Sequence, residues 1–367
     1  MAEPPPEARM PGLARKGRGA TLNPPNRFEA QRTEAFDDGW AAPGMPDPPP
    51  SLETTLIRDA TRSAIAWNES PDIGFDRAVN PYRGCEHGCI YCYARPSHAY
   101  LGYSPGLDFE TKILFKPDIA RLLEREIGKP GYVVRPIALG SNTDPYQPVE
   151  RRLALTRSVL EMLERAGHPF TIVTKSAGVL RDLDILARMA KRRLTRVHIS
   201  ITTLDPALAR SMEPRASSPA RRLGAIAELA KAGVPVGVMA APMIPGLNDA
   251  EMERILAASA QAGARHAAFV LLRLPHELKQ LFEGWLAEHR PDRARHVLSL
   301  IRQTREGRLN NPNFHGRMRG SGPYAGLMAA RFVRAAQKYG LADPPLPLDT
   351  SQFVSPGRVE SRQLALL

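Results

Sequence analysis

Cys85-Glu-His-Gly-Cys89-Ile-Tyr-Cys92 holds every cysteine of a 367-residue chain. Scattered cysteines read as small buried apolar residues. Three at spacings of four and three, with none left over, read as a set of metal ligands. Thiolates suit soft centres such as iron–sulfur clusters, zinc or Cu(I). A zinc site of cysteine alone, or a fully ligated 4Fe–4S cluster, takes four thiolates. Three would hold three irons of a cubane and leave the fourth iron open. The competing reading is a zinc site completed by His87 or His98, although a zinc ribbon wants a second ligand pair downstream.

Outward from this window the sequence alternates. Apolar runs of strand length fall at 75–83, 133–139, 170–173, 197–201, 236–239 and 267–272. Patterns of helical period fall at 119–127, 150–166, 180–191, 221–232 and 250–262. Continuous apolar strands alternating with helices predict βαβ units and a parallel sheet buried on both faces. Past Pro275 the reading is helical at 277–289 and 293–304. An irregular stretch at 310–324 follows, rich in glycine and asparagine and carrying arginines suited to anions. A last helix is expected at 325–339.

A hydrophobic fraction of 43% supports a substantial core, and a formal net charge of +12 suits a polyanionic partner such as nucleic acid. Residues 1–50 hold eleven of the 35 prolines and few large aliphatics, so most of this leader is expected to be disordered. Within it, 16–20 and 23–28 look less random than the proline runs. A basic arm there would reach along a phosphate backbone, but a solvated leader is the better-supported expectation. The N-terminus has no apolar signal core and the most apolar run, 234–247, is cut by Pro235, Pro242 and Pro245. The expectation is a cytoplasmic protein with no membrane span and no disulfide framework.

A CxxxCxxC window opening an α/β chain resembles the radical S-adenosylmethionine (radical SAM) superfamily. Cys89-Ile-Tyr-Cys92-Tyr93 narrows the likeness to its spore photoproduct lyase, or DNA-repair-photolyase-like, branch. The likeness covers roughly residues 76–275. It implies a partial (βα)6 TIM-type barrel whose six strands carry the chemistry at their C-terminal edge. The expected organisation is a leader at 1–50, a core barrel with its lead-in at 51–275 and a helical C-terminal extension at 276–367. It further implies a 4Fe–4S cluster on Cys85, Cys89 and Cys92, with SAM chelated at the open iron. An external one-electron reductant of flavodoxin or ferredoxin type is implied as well.

The remaining candidate residues come from strand ends. Tyr91 matches the aromatic residue that the family sets against the adenine. After strand two, Asn142 and Asp144 are acceptors for the SAM amino group, or turn residues capping the next helix. Lys175 ends strand three, where its ammonium would pair with the SAM carboxylate. Ser200 and Thr202, on the polar face of strand four, are candidates for the ribose hydroxyls, or simply good strand formers. Arg215, in Met212-Glu213-Pro214-Arg215, would fork onto a carboxylate. Gly246, in Pro242-Met-Ile-Pro245-Gly246-Leu-Asn248-Asp249, permits close backbone approach beside the adenine.

The resemblance implies reductive cleavage of SAM to a 5′-deoxyadenosyl radical that takes a hydrogen atom from a substrate. Nucleic acid leads as that substrate, with a peptide or small molecule as the alternative. A non-enzymatic, metal-stabilised nucleic-acid-binding protein is the alternative of another class. The branch's lyase uses a further cysteine near the end of strand two as hydrogen donor. Ser141 and its neighbours stand there in this chain, and an alkyl O–H is too strong to replace S–H. Tyr91 and Tyr93, matching tyrosines of radical transfer, are the remaining donors.

Overall fold

The chain was analysed as a computed structural model, which describes residues 16–28 and 53–356. Six parallel strands frame it: β1 (Arg77–Val79), β2 (Ile137–Leu139), β3 (Phe170–Thr174), β4 (Thr195–Ser200), β5 (Val236–Met243) and β6 (His266–Leu271). They run in spatial order β6-β5-β4-β3-β2-β1, and an antiparallel edge strand, Ile65–Trp67, lies beyond β1. Among the described residues β1 and β6 do not pair, so the barrel is partial, as expected. Sequential neighbours in one sheet follow from short crossovers, each returning through a helix on the outer face.

The outer helices are α1 (Ile119–Ile127), α2 (Leu155–Arg165), α3 (Leu183–Lys191), α4 (Pro219–Lys231) and α5 (Met252–Gln261). Their apolar faces bury Leu123, Val159, Leu163, Leu186, Met189, Ile226, Leu229 and Ile255 against Ile172, Val197, Ile199 and Val238. The 150–166 helix is broken at Ala154, which is left-handed at φ 52°. The Glu150 carboxylate then accepts from the Thr156 N–H at 3.1 Å, as a cap for the restarted α2. The first strand is shorter than expected. It stops at Val79, and Tyr82–Arg83 pairs instead with Lys112–Phe115, which in turn pairs with Thr55–Arg58. This small three-stranded sheet carries the chain into the cysteine loop.

The C-terminal extension forms α6 (Leu278–His289), α7 (Pro291–Gln303) and α8 (Gly322–Lys338). Helix α8 covers the β6 side of the barrel, burying Met328, Ala335 and Ala336 in the main core. Helices α6 and α7 do something else. Phe282, Trp285, Val297 and Ile301 join Cys89, Ile90, Tyr91 and Met212 in a second apolar core directly on the cysteine loop. Among the described residues no helix is long and apolar enough to cross a membrane.

The expected solvated leader is corrected at 16–28; the rest of 1–50 lies outside the described residues apart from that stretch. Ala20 is fully buried in the second core. Glu110 accepts from the backbone N–H groups of Gly19 (3.0 Å) and Ala20 (2.8 Å). A side chain at Gly19 is impossible, because its Cβ would lie 1.8 Å from the Gly88 carbonyl oxygen. Arg27 pairs with Glu277 at 3.0 Å and stacks between Phe28 and Tyr100. Sequence composition misses this because burying backbone needs no large aliphatics.

Burial also sets an acid response. His98 and His168 are fully buried, and desolvation pushes each down to about 4. His198 and His266, with Nε2 atoms 3.0 Å apart across β4 and β6, are pushed down by burial too. All four are neutral when folded but take up protons near pH 6.5 when unfolded. Their contribution is therefore complete above that pH and lost as pH falls toward 4, by about 1.4 kcal/mol per pH unit per histidine. The urea midpoint should drop steeply between pH 6.5 and 5. A midpoint flat over that interval would contradict the buried neutral assignment.

Candidate metal centre and cofactor site

Apart from Ser200, the last residue of β4, the candidate residues belong to segments that follow the C-terminal ends of the strands. The cysteine loop follows β1 and the short strand Tyr82–Arg83, and turns at Gly84 and Gly88, both left-handed at φ 81° and 69°. Any Cβ at Gly88 would meet the Glu110 carboxylate at 2.8 Å. Arg95 pins the loop from inside. It donates to the carbonyls of Cys89 (2.8 Å) and Gly88 (3.1 Å) and pairs with Glu110 at 2.5 Å, both charges fully buried.

Cys85 and Cys89 are 7% exposed and Cys92 is half-buried. Burial pushes the Cys85 thiol well up and the Cys89 thiol up to about 12; Asp144 adds to the first effect, whereas Lys175 opposes the second. Cys92 packs against both the cluster that holds Cys85 and the cluster that holds Cys89, so the three thiols lie together; Cys85 and Cys89 each sense a neighbouring thiol. Among the described residues, no three His, Cys, Asp or Glu side chains close into a single-ion cage. Of the histidines of the zinc alternative, His87 Nδ1 faces Asp144 at 3.3 Å, and His98 Nε2 lies 3.0 Å from the Lys112 carbonyl while its Nδ1 is buried without a partner among the described residues. Three neighbouring thiols, in a sequence with no fourth cysteine, fit a cluster that keeps one iron open.

Tyr91 does not hang free. Its hydroxyl meets Glu213 and lies 3.1 Å from the Thr202 hydroxyl. Burial, then Cys89 and Glu213, raises its phenol well above the usual range. Glu213 is paired at 2.5 Å with Arg222 of α4, and both are buried. Arg222 also donates to the carbonyls of Ser217 (2.7 Å) and Ser200 (3.1 Å). This Tyr91–Glu213–Arg222 chain fixes the loop to the ends of β4 and α4. Thr202 is thereby committed to Tyr91 rather than free for a ribose. Ser200 lies buried one strand position inside it.

Asp144 is a clamp rather than an open acceptor. Its carboxylate accepts from the Lys175 N–H (2.7 Å), the Thr174 hydroxyl (2.7 Å) and the Tyr146 N–H (2.9 Å), and it faces His87. Burial, which would raise it, is outweighed by His87 and these donors, and its acid sits at about 2. The Asn142 N–H is likewise taken by Asn80 Oδ1 at 3.1 Å. Arg215 turns away from the expected carboxylate: it pairs with Glu86 at 3.1 Å, inside the cysteine loop. Gly246 is left-handed at φ 74°, as a tight turn requires. Its open face is covered by His296 and Leu300 of α7. Asn248 ties that turn to β4 through the Thr202 carbonyl at 2.7 Å.

Two expected residues remain free to act. Lys175 places its ammonium 5.7 Å from the Tyr91 ring centre, and no carboxylate or carbonyl partners it among the described residues. Tyr93 is 50% exposed and donates its hydroxyl to the Ser141 carbonyl at the end of β2. Arg95, Glu110 and Arg222 were invisible as site residues. Glu110 meets Gly19 and Ala20, 91 and 90 residues back, and Arg222 meets Ser200, 22 residues back, with no local spacing to mark them.

The sequence profile of the radical SAM superfamily matches residues 79–258, which include all three cysteines. The chain is 36% identical over 243 residues to an uncharacterized protein of Mycobacterium tuberculosis, covering 65% of this chain and 72% of that one. It is 28% identical over 178 residues to an uncharacterized protein of Methanocaldococcus jannaschii, covering 48% and 64%. Among solved structures it is similar to spore photoproduct lyase complexed with dinucleoside spore photoproduct, with a TM-score of 0.58 at 19% identity. That match covers 79% of this chain and 81% of that one. A variant of the lyase with bound AdoMet and the dinucleoside gives a TM-score of 0.56 at 19% identity, with the same coverage. At such identity the likeness is one of fold.

Proposed function

The chain belongs to the radical SAM superfamily, enzymes that work with a 4Fe–4S cluster and SAM, and on that premise we propose that Cys85, Cys89 and Cys92 hold the cluster for hydrogen abstraction from a nucleic-acid substrate. The observation that carries this reading is the group of three neighbouring thiols at the strand ends, beside an unpartnered Lys175. With an electron from an external flavodoxin- or ferredoxin-type donor, the bound cofactors supply methionine and a 5′-deoxyadenosyl radical able to take hydrogen from an unactivated C–H.

The chain's own residues bind, orient and exclude. Lys175 pairs with the SAM carboxylate, since a half-buried ammonium without a counter-ion favours an anion. Carbonyls at the β2 turn accept from the SAM ammonium, with Asp144 and Asn80 holding that turn in shape. The Tyr91 ring, locked through Glu213 and Arg222, forms a rigid wall. Tyr93 lies at Ser141, where its phenol can return a hydrogen atom to a substrate radical. Net charge of +12 supports a polyanionic substrate.

Anaerobic reconstitution with iron and sulfide, reduction with dithionite and chromatography after adding SAM test the reading. The expected product is 5′-deoxyadenosine, formed faster when single-stranded oligonucleotide is present. Stimulation by peptide pools but not by oligonucleotide would move the substrate to the alternative class. No SAM cleavage at all would remove the proposed site.

A further inference from the structure

Among the described residues, all but one of the arginines around the barrel mouth that the site uses are matched to carboxylates or to backbone carbonyls. Arg95 pairs with Glu110, Arg222 with Glu213, Arg215 with Glu86 and Arg317 with Asp72. Arg305 has no carboxylate but donates to four carbonyls, of Leu271, Leu272, Gly316 and Arg317. Arg273, two residues past β6, has neither among the described residues. Its Nε is buried without a partner, and its Nη1 reaches only the Met318 sulfur at 3.5 Å. The nearby Asp72 carboxylate is taken by Arg317 at 2.5 Å and by the His315 N–H at 2.6 Å.

Position gives the exception a meaning. The guanidinium lies 5.8 Å from the centre of the Tyr93 ring. Lys175 stands correspondingly 5.7 Å from the centre of the Tyr91 ring. Two cations without carboxylate partners among the described residues thus lie against the two tyrosines on either side of Cys92 in the chain. A guanidinium held against an aromatic ring, partly desolvated and with donors unused, is built for a planar oxyanion met through two parallel hydrogen bonds.

We infer that Arg273 binds a phosphodiester of the substrate, fixing the nucleotide whose hydrogen is removed beside Tyr93. This rests on the nucleic-acid reading above and adds to it the group that positions the strand. A carboxylate substrate would satisfy the same fork, so the test must carry the signature of a phosphate chain.

The probe is a fluorescein-labelled single-stranded oligothymidylate, bound to the reconstituted enzyme between 50 and 200 mM salt, on the order of physiological strength. Arg273→Met should weaken binding about tenfold, as for a lost hydrogen bond to a charged group. It should also flatten the slope of log K against log salt by about 0.7, one phosphate's worth of counterion release. Arg273→Lys should keep the slope and recover part of the affinity. A merely structural role would leave the slope unchanged. Unchanged affinity and slope in Arg273→Met, with the natural chain binding normally, would overturn the assignment of Arg273 alone. Failure of the natural chain to bind would overturn it together with the nucleic-acid reading.

Discussion

Cys89→Ala should abolish 5′-deoxyadenosine formation and strip iron from the reconstituted protein. Cys89 is the middle thiol of the three and feels the Lys175 ammonium. Its sulfur is buried in the second core, where alanine fits without a clash. The chain should therefore still fold, which separates loss of ligand from loss of structure. Losing a group that only orients a metal ligand already costs about 10–100-fold. Losing the ligand itself should cost at least that much in turnover, and iron per chain should fall well below the four of a cubane. Iron retained in full with undiminished SAM cleavage would exclude Cys89 as a ligand.

Glu110→Ala should be among the most destabilising single changes in the chain without touching any cysteine. Glu110 is fully buried and serves three donors: Arg95 and the backbone of Gly19 and Ala20. Removing it leaves the Arg95 charge buried without compensation, for which about 3–5 kcal/mol is the usual loss. It also unpairs two backbone N–H groups. Arg95 would then no longer hold the carbonyls of Gly88 and Cys89, so the reconstituted protein should lose iron faster to chelator than the natural chain. The measurements are a urea melt and a chelation time course on the same preparations. A loss below about 1 kcal/mol would show that the pair is not the anchor described.

The frame of this protein was legible because buried parallel strands are nearly all apolar. The runs at 170–173, 197–201 and 236–239 read correctly within a residue or a few, since no other element writes four apolar residues between helical patterns. The thiol set was legible because ligand spacing is local. What failed to show in sequence is long-range and polar. Arg215 looked like a fork for a ligand, but Glu86 lies folded back toward it. Asp144 looked like an acceptor, yet the N–H of Lys175 and the hydroxyl of Thr174, thirty residues on, fill it. The segment 16–28 looked solvated because it is held by distant polar partners, its backbone by Glu110 and its Arg27 by Glu277, 90 and 250 positions away.

Those separations also order events in time. The cysteine loop is roofed by the segment around Ala20 from one end of the chain and by α6 from the other, with Gly284 packed on Leu22. On a ribosome, Cys92 emerges long before Glu277 and Trp285 exist to close that roof. At about 5–20 residues per second the interval is roughly 10–40 s. Throughout it the thiols face solvent on a nascent chain whose barrel is still growing. On the proposed cluster site, iron delivered in that interval would meet an uncovered loop, whereas iron delivered later would meet one packed under Ala20 and α6.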